Sequence, residues 1–193
     1  MKKVLTVFII LCGFLTGCAL SPQQIDVSPK VSVTRQDRHF RGELHVNVMD
    51  NRSSPSLGSR GGVYSKTNKI VTDADTTLSI QSSVELALRQ MGFTITDAES
   101  APTLTVYLDR LTYHAPGVAY ITKVDLSAQV RVVVVSQGKK FDGNYESKLS
   151  ERVLAAPSDD KNKALVNQVL SDALTRAFSD QELLTYLETI PQH

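Results

Sequence analysis

The sequence of 193 residues contains no tryptophan, and aromatic residues make up only 6% of it. This scarcity speaks against a surface that stacks sugars or nucleic-acid bases, since such surfaces are built from aromatic rings. The chain also lacks an excess of either charge. Its formal net charge is +1, which argues against a nucleic-acid partner. Hydrophobic residues make up 41% of the chain, too many for a disordered protein, and the length fits one globular domain.

The first seventeen residues differ in character from the rest of the chain. Lys2 and Lys3 precede an uncharged, largely apolar run of eleven residues, Val4 to Phe14. A helix of this length covers about 16 Å and cannot cross a hydrocarbon core of about 30 Å. A positive start, a short apolar run and small residues before a cleavage point are typical of a secretory signal peptide. We therefore predict a signal peptide over residues 1–17.

The tetrapeptide that ends this segment, Leu15-Thr16-Gly17-Cys18, resembles a bacterial lipobox. The resemblance implies that Cys18 is acylated and becomes the mature N-terminus. The alternative is that Cys18 is an ordinary small residue near a secretory cleavage site. Ala19 follows the cysteine, and similarity to lipoproteins of the enterobacterial type then implies export to the outer membrane. The folded part of the chain is expected to face the periplasm.

Cysteine is scarce as well, and its two positions limit what the mature chain contains. Cys12 leaves with the signal peptide, and lipidation would bond the sulfur of Cys18 to a lipid. A disulfide and a zinc site of the Cys-x-x-Cys kind are therefore excluded. The several acyl chains that a lipobox implies, palmitate among them, exceed the two signals needed for stable membrane anchoring. The membrane is accordingly an expected partner.

Residues 18–41 are predicted to be the lipidated N-terminus and a tether. Prolines and polar residues without periodicity, as in Ser21-Pro22-Gln23-Gln24 and Ser28-Pro29, are typical of a semi-extended linker. Residues 42–193 are predicted to form a single α/β domain in the periplasm.

Four segments alternate apolar and polar residues with the period of a half-buried strand. The apolar positions are Leu44, Val46 and Val48 in the first segment and Leu104, Val106 and Leu108 in the second. Val124 to Val134 gives the longest alternation, and Phe141 to Leu149 follows after the turn Gln137-Gly138-Lys139. Short loops between the last three strands predict an antiparallel meander.

Two segments show helical periodicity instead. The first spans residues 76–91 and ends at Gly92, which suits a left-handed C-cap. The second spans about residues 159–178, with Ser158 as the N-cap. Ser179 and Glu182 resemble a capping box that begins a short terminal helix through Leu187.

These elements predict an α+β fold in the order β-α-β-β-β-α. We expect a two-layer sandwich in which a mostly antiparallel sheet of about four strands is packed by two amphipathic helices.

Residues with catalytic chemistry are present but not grouped. His39, His45, His114 and His193 are not spaced for a metal site, and no nucleophile motif occurs. We therefore predict no enzyme activity, no metal and no cofactor. Asp50 and Arg52 at the exit of the first strand are the most distinctive local pair. They are expected either to fix the turn or to contact a ligand or partner.

Several of these features together resemble the YajG family of bacterial lipoproteins. They are the lipobox Leu15–Cys18, Val27-Ser28-Pro29, Asp50-x-Arg52, Ile70-Val71-Thr72, the strand around 124–135 and the helix Ala164–Phe178. The resemblance covers nearly the whole chain. It implies an outer-membrane lipoprotein and, among functional residues, only the lipidated Cys18.

Three hypotheses of function follow. The first is a non-catalytic, lipid-anchored envelope lipoprotein that binds a partner protein or lipid at the periplasmic face of the outer membrane. The second is an accessory component of lipid or lipopolysaccharide transport, which rests on analogy of architecture alone. The third, a small cell-wall hydrolase, requires a nucleophile–base pair or a metal site that the sequence does not display.

Overall fold

The computed structural model describes residues 21–33, 40–61, 66–98, 100–116, 121–154 and 157–191. The strands are β1 (Gln23–Ile25), β2 (Glu43–Asp50), β3 (Ser56–Ser59), β4 (Lys69–Thr72), β5 (Thr94–Ile95), β6 (Thr103–His114), β7 (Ile121–Ser136) and β8 (Lys139–Leu154). The helices are α1 (Thr76–Met91), α2 (Asp159–Ala177) and α3 (Gln181–Glu188). Across these ranges, each helix is too short or too polar to span a bilayer.

The sheet is organised around β6. One edge of β6 pairs along its length with β7, which pairs in turn with β8, and both pairings are antiparallel. The other edge of β6 is shared by β2 and β3, which pair with it in parallel at opposite ends. β5 extends the sheet beyond β2, while β4 and then β1 extend it beyond β3.

The expected fold class is wrong. The described sheet has eight strands instead of about four, and four of its seven strand pairings are parallel. Three helices pack on it, so the fold is a mixed α/β arrangement. The parallel pairing of β2 with β6 has a physical cause, because the chain crosses between them through α1 and a helical crossover returns the next strand in parallel. The four short strands, β1, β3, β4 and β5, have only two to four residues and are too short to show a clear alternation.

The antiparallel meander of the three longest strands is confirmed. In β7 every second residue from Val124 to Val134 is fully buried or nearly so, which matches the predicted alternation. β7 and β8 pair along all sixteen residues of each strand. They are joined by Gln137 and Gly138, both with positive φ, as the favoured two-residue hairpin turn requires.

The helix boundaries agree with the predictions except at the start of α3. Gly92 ends α1 in the left-handed conformation, with φ of 113°. The Ser158 hydroxyl caps α2 by accepting a hydrogen bond from the Lys161 amide. At α3, however, the N-cap is Asp180, whose carboxylate accepts from the Glu182 amide. The capping box proposed at Ser179 is therefore displaced by one residue.

The segment 21–33, named here the N-terminal strap, belongs to the folded domain. Its residues 23–25 form β1 beside β4, and the side chains of Ile25 and Val27 are fully buried. This differs from the tether expected over residues 18–41. The buried side chains of the strap recur at every second residue, a pattern that its prolines and polar residues obscure in the sequence.

Side chains of α2 hold the rest of the strap by its backbone. The amides of Ser28, Lys30 and Ser32 donate to the side-chain oxygens of Asn167, Ser171 and Thr175, at 2.6, 2.8 and 3.1 Å. Two residues of extended chain rise about 6.6 Å and four residues of helix rise about 6 Å, so the two repeats stay nearly in step. The strap therefore lies along the helix as a ladder of hydrogen bonds.

A buried polar chain joins the strap to the core. The hydroxyl of Tyr113 donates to Asn162 Oδ1 at 2.5 Å, and Asn162 Nδ2 donates to Gln23 Oε1 at 2.8 Å. Asn162 is fully buried. Burial raises the pKa of Tyr113 to about 12, so its hydroxyl keeps the proton that it donates. The chain ties β6, α2 and β1 together.

Candidate functional site

All three helices pack on one side of the sheet, where the alternate residues of β6 and β7 are buried. No helix among the described residues covers the opposite side. We call this side of β2, β6, β7 and β8 the uncovered face. A cluster at its centre consists of Tyr107, Asp109, Arg131, Lys140 and Asp142.

Arg131 orders the centre of the uncovered face. Its guanidinium carbon lies 4.1 Å from the centre of the Tyr107 ring, and its Nε lies 3.4 Å from Asp109 Oδ2. Its Nη1 is 3.9 Å from the carboxylate of Asp142, which also pairs with Lys140 at 2.7 Å. The two cations and two anions balance, and the neighbouring groups hold the long arginine side chain in place. The result is a polar surface of balanced charge whose long side chains are held in place by one another.

Exposed apolar side chains flank this cluster. Met49 is 46% exposed and pairs across the sheet with Tyr107, while Val135 near the end of β7 is 45% exposed. Isolated exposed apolar residues are ordinary on protein surfaces. Here they stand beside an arginine and a tyrosine, residue types that protein interfaces contain in excess.

A cleft of about 510 Å³ opens at the end of the uncovered face where β7 finishes. Its lining residues are Glu43, Ser100, Ala101, Pro102, Thr103, Val135, Ser136, Gln137 and Pro191. Glu43 is the one ionisable side chain in this lining. The cleft therefore has the volume of a small-molecule pocket but neither an apolar lining nor a pair of acid–base groups.

Asp50 and Arg52 lie where β2 gives way to β3 along the edge of β6. Arg52 donates to the Asp50 carboxylate from Nε at 2.8 Å, from Nη2 at 2.7 Å and from its backbone amide at 3.1 Å. Its Nη2 also donates to the hydroxyl of Thr72 at 3.0 Å. The pair thus bridges the two sides of the turn after β2, and Arg52 also links this turn to β4.

The guanidinium side of this pair is almost completely shielded from solvent. The Arg52 side chain is 6% exposed, and its buried Nη1 has no hydrogen-bond partner among the described residues. Partial burial pushes the pKa of Asp50 upward, but the hydrogen bonds and charge of Arg52 outweigh it, so the pKa lies below its ordinary value. The hydrogen bonds of the pair are those expected of a turn-fixing role, and both that role and contact with a ligand or partner stay predictions.

The remaining candidate residues are not brought together. His45 Nδ1 lies 3.2 Å from the Thr96 carbonyl oxygen, whereas His114 is exposed at the far end of β6. The described ranges hold no group of three histidine, cysteine or acidic side chains arranged for a metal ion. Cys18, His39 and His193 lie outside the described residues.

The sequence analysis missed the Arg131 cluster. Asp109 and Arg131 are 22 residues apart in the sequence, and they meet because β6 and β7 pair with a register shift between Leu108 and Arg110. The sequence offers only a weak signal for this cluster. Tyr107, Asp109 and Arg131 occupy outward-facing positions in two segments that alternate apolar and polar residues. Register between strands does not follow from alternation alone.

Comparison with known proteins identifies a matching protein family. The profile of the Lipoprotein_16 family, described as uncharacterized lipoprotein, matches residues 29–188. The chain is 22% identical over 192 residues to the uncharacterized lipoprotein YajG of Escherichia coli K12, covering 97% of each chain. This agrees with the resemblance identified in the sequence.

A solved structure shares the fold. The DUF330-family protein XCC0632 from Xanthomonas campestris matches with a TM-score of 0.50 and 11% sequence identity, over 81% of this chain and 91% of that one. At this identity the likeness concerns architecture alone. The profile match, by contrast, spans most of the sequence. The chain therefore belongs to the Lipoprotein_16 family of lipoproteins.

Proposed function

We propose that this lipoprotein is anchored through acylated Cys18 to the outer membrane, faces the periplasm, and binds a partner protein through its uncovered face. Its role is binding and not catalysis. The observation that carries the proposal is the ordered Arg131 cluster, flanked by exposed Met49 and Val135, on a sheet face that no described helix covers.

A protein fits this surface better than a lipid does. Acyl chains need a continuous apolar surface, whereas Met49 pairs across the sheet with Tyr107, next to Arg131, and Val135 pairs with Lys140. The apolar side of the sheet is closed by the helices. A partner protein can satisfy the ordered polar groups by hydrogen bonds and bury the two apolar side chains, as interfaces with polar and apolar parts do.

Site-specific photocrosslinking in intact cells tests the binding face. A photoreactive residue at Met49 or Val135 is expected to give one discrete crosslinked protein band. The matched control is Leu86, which is 56% exposed on α1, away from the sheet. Equal crosslinking at Leu86, or adducts with lipid alone, would contradict partner binding by the uncovered face.

Radiolabelled palmitate tests the anchor. The Cys18→Ser variant should lose the label and accumulate as an uncleaved precursor. Ala19→Asp should keep the label but move the protein from the outer-membrane to the inner-membrane fraction. A labelled Cys18→Ser variant would overturn lipidation at this cysteine, and an unmoved Ala19→Asp variant would overturn the outer-membrane assignment.

A further inference from the structure

The N-terminal strap leaves very little free chain between Cys18 and the folded domain. The Ser21 carbonyl oxygen already accepts from Arg60 Nη2 at 3.5 Å, and β1 begins at Gln23. Three residue steps separate Cys18 from Ser21. Fully extended, they span at most about 10 Å between Cα atoms, at ~3.5 Å per residue.

This reach is close to the thickness of the lipid headgroup layer. The headgroup region adds about 5–7 Å on each side of the hydrocarbon core. The acyl chains of Cys18 enter that core, so much of the 10 Å is used within the headgroups. The domain thus has only a few ångströms of free chain with which to leave the membrane.

One end of the sheet lies beside the strap's first residue, Ser21, and we call it the proximal end. It consists of Arg60, the turn Lys66–Asn68 and the beginning of α2 at Ser158 and Asp159. Arg60 pairs with Asp159 at 2.8 Å and also binds the Asn68 side chain. Lys66 and Thr67 are exposed.

The cleft lies at the opposite end of the sheet. Thr103 lines the cleft and begins β6, while His114 ends β6 and pairs with Ser59, the neighbour of Arg60. The eleven residue steps of β6 from Thr103 to His114 separate the two ends by about 36 Å, at ~3.3 Å per residue. The Gln137-Gly138 turn, which closes the β7–β8 hairpin, is at the cleft end.

We infer that the proximal end rests against the phospholipid headgroups and that the cleft end points away from the membrane. The inference rests on the lipid anchor of the proposed function and adds to it a fixed orientation. Arg60 and Asp159 neutralise each other, and Lys66 adds one exposed positive charge to the proximal end. Because a single exposed charge is readily screened, the short connection to the anchor sets the contact, and added salt should change it little.

Fluorescence quenching by lipids tests this orientation. The mature, acylated protein is placed in vesicles of phosphatidylethanolamine and phosphatidylglycerol, a fraction of which carries a quencher on the headgroup. Single probes are attached to Lys66→Cys or Gln137→Cys, both exposed positions, after flotation has shown that the protein is bound. The probe at position 66 should lose most of its fluorescence, and the probe at 137 should lose almost none.

A spacer variant provides the control. Twelve Gly/Ser residues inserted between Leu20 and Ser21 add a mean reach of about 19 Å and should abolish the quenching at position 66. Equal quenching at 66 and 137, or none at 66 in bound protein without the spacer, would overturn the orientation. Failure to float with the vesicles would instead overturn the anchor, and with it the proposed function.

Discussion

Replacing Asp50 by Asn should destabilise the protein strongly for a change at a surface turn. The amide keeps the size of the side chain but removes the charge that faces the buried guanidinium of Arg52. Exposed ion pairs contribute less than about 1 kcal/mol, whereas breaking a buried pair costs ~3–5 kcal/mol. The Asp50 side chain is 29% exposed and Arg52 only 6%, so we expect a loss of about 2–3 kcal/mol.

Urea denaturation of the purified protein measures this loss. With a typical slope of ~2 kcal/mol per molar urea, the midpoint should fall by about 1 M. Glu85→Gln is the matched control, because it makes the same chemical change in the helical pair with Arg89, a residue 53% exposed. This control should cost no more than about 0.5 kcal/mol.

The loss should also depend on pH. The pKa of Asp50 lies below its ordinary value of 3.8 in the folded protein. Its contribution is therefore complete above the pKa of the unfolded chain and disappears as the pH falls through the lower folded value. The difference between wild type and Asp50→Asn should shrink below about pH 4. A difference that is constant from pH 7 to about pH 3, or no larger than that of Glu85→Gln, would refute the role assigned to this pair.

Two further substitutions test the core and the sheet by thermal and urea unfolding. Asn162→Ala leaves the buried Tyr113 hydroxyl without its acceptor and should cost about 2–4 kcal/mol. Gln168→Ala, which truncates an exposed amide on the same helix, should cost less than about 1 kcal/mol, and equal losses would contradict the buried polar chain. Gly58→Ala would place a Cβ 1.9 Å from the Tyr113 carbonyl oxygen and should cost more than Gly138→Ala, which shares a positive φ but meets nothing within 4 Å. An unfolding temperature no lower for Gly58→Ala than for Gly138→Ala would contradict the close parallel approach of β3 to β6.

The parts of the fold that the sequence predicts are those with long regular patterns. The alternation in β7 extends over eleven residues, and the stripe of α1 ends at Gly92, so each element is specified locally. The antiparallel meander follows from the short connections. β3 and β5, with four and two residues, offer no pattern of that kind, and their places in the sheet depend on pairing with distant residues.

The candidate site likewise has one part that can be predicted from the sequence and another that cannot. Asp50 and Arg52 are two residues apart, so their contact is foreseeable from the chain itself. The position of Arg131 over Tyr107 depends on the register of two strands and on the shift near Asp109. The position of the strap is harder still to predict from the sequence, because the strap is held by α2. The side chains of α2 that accept its hydrogen bonds are Asn167, Ser171 and Thr175, which lie outside the apolar stripe that identifies the helix.

The order in which the chain can fold follows from this ladder. The strap's amides find their acceptors 139 to 143 residues later in the sequence, among the most distant contacts in the molecule. Closing a loop of that length costs about 4 kcal/mol of chain entropy before any contact forms. The groove for the strap exists only after α2 has been synthesised and docked. The strap, from Ser21 onward, is therefore enclosed last, and its backbone amides stay exposed until the chain as far as Thr175 is available for folding.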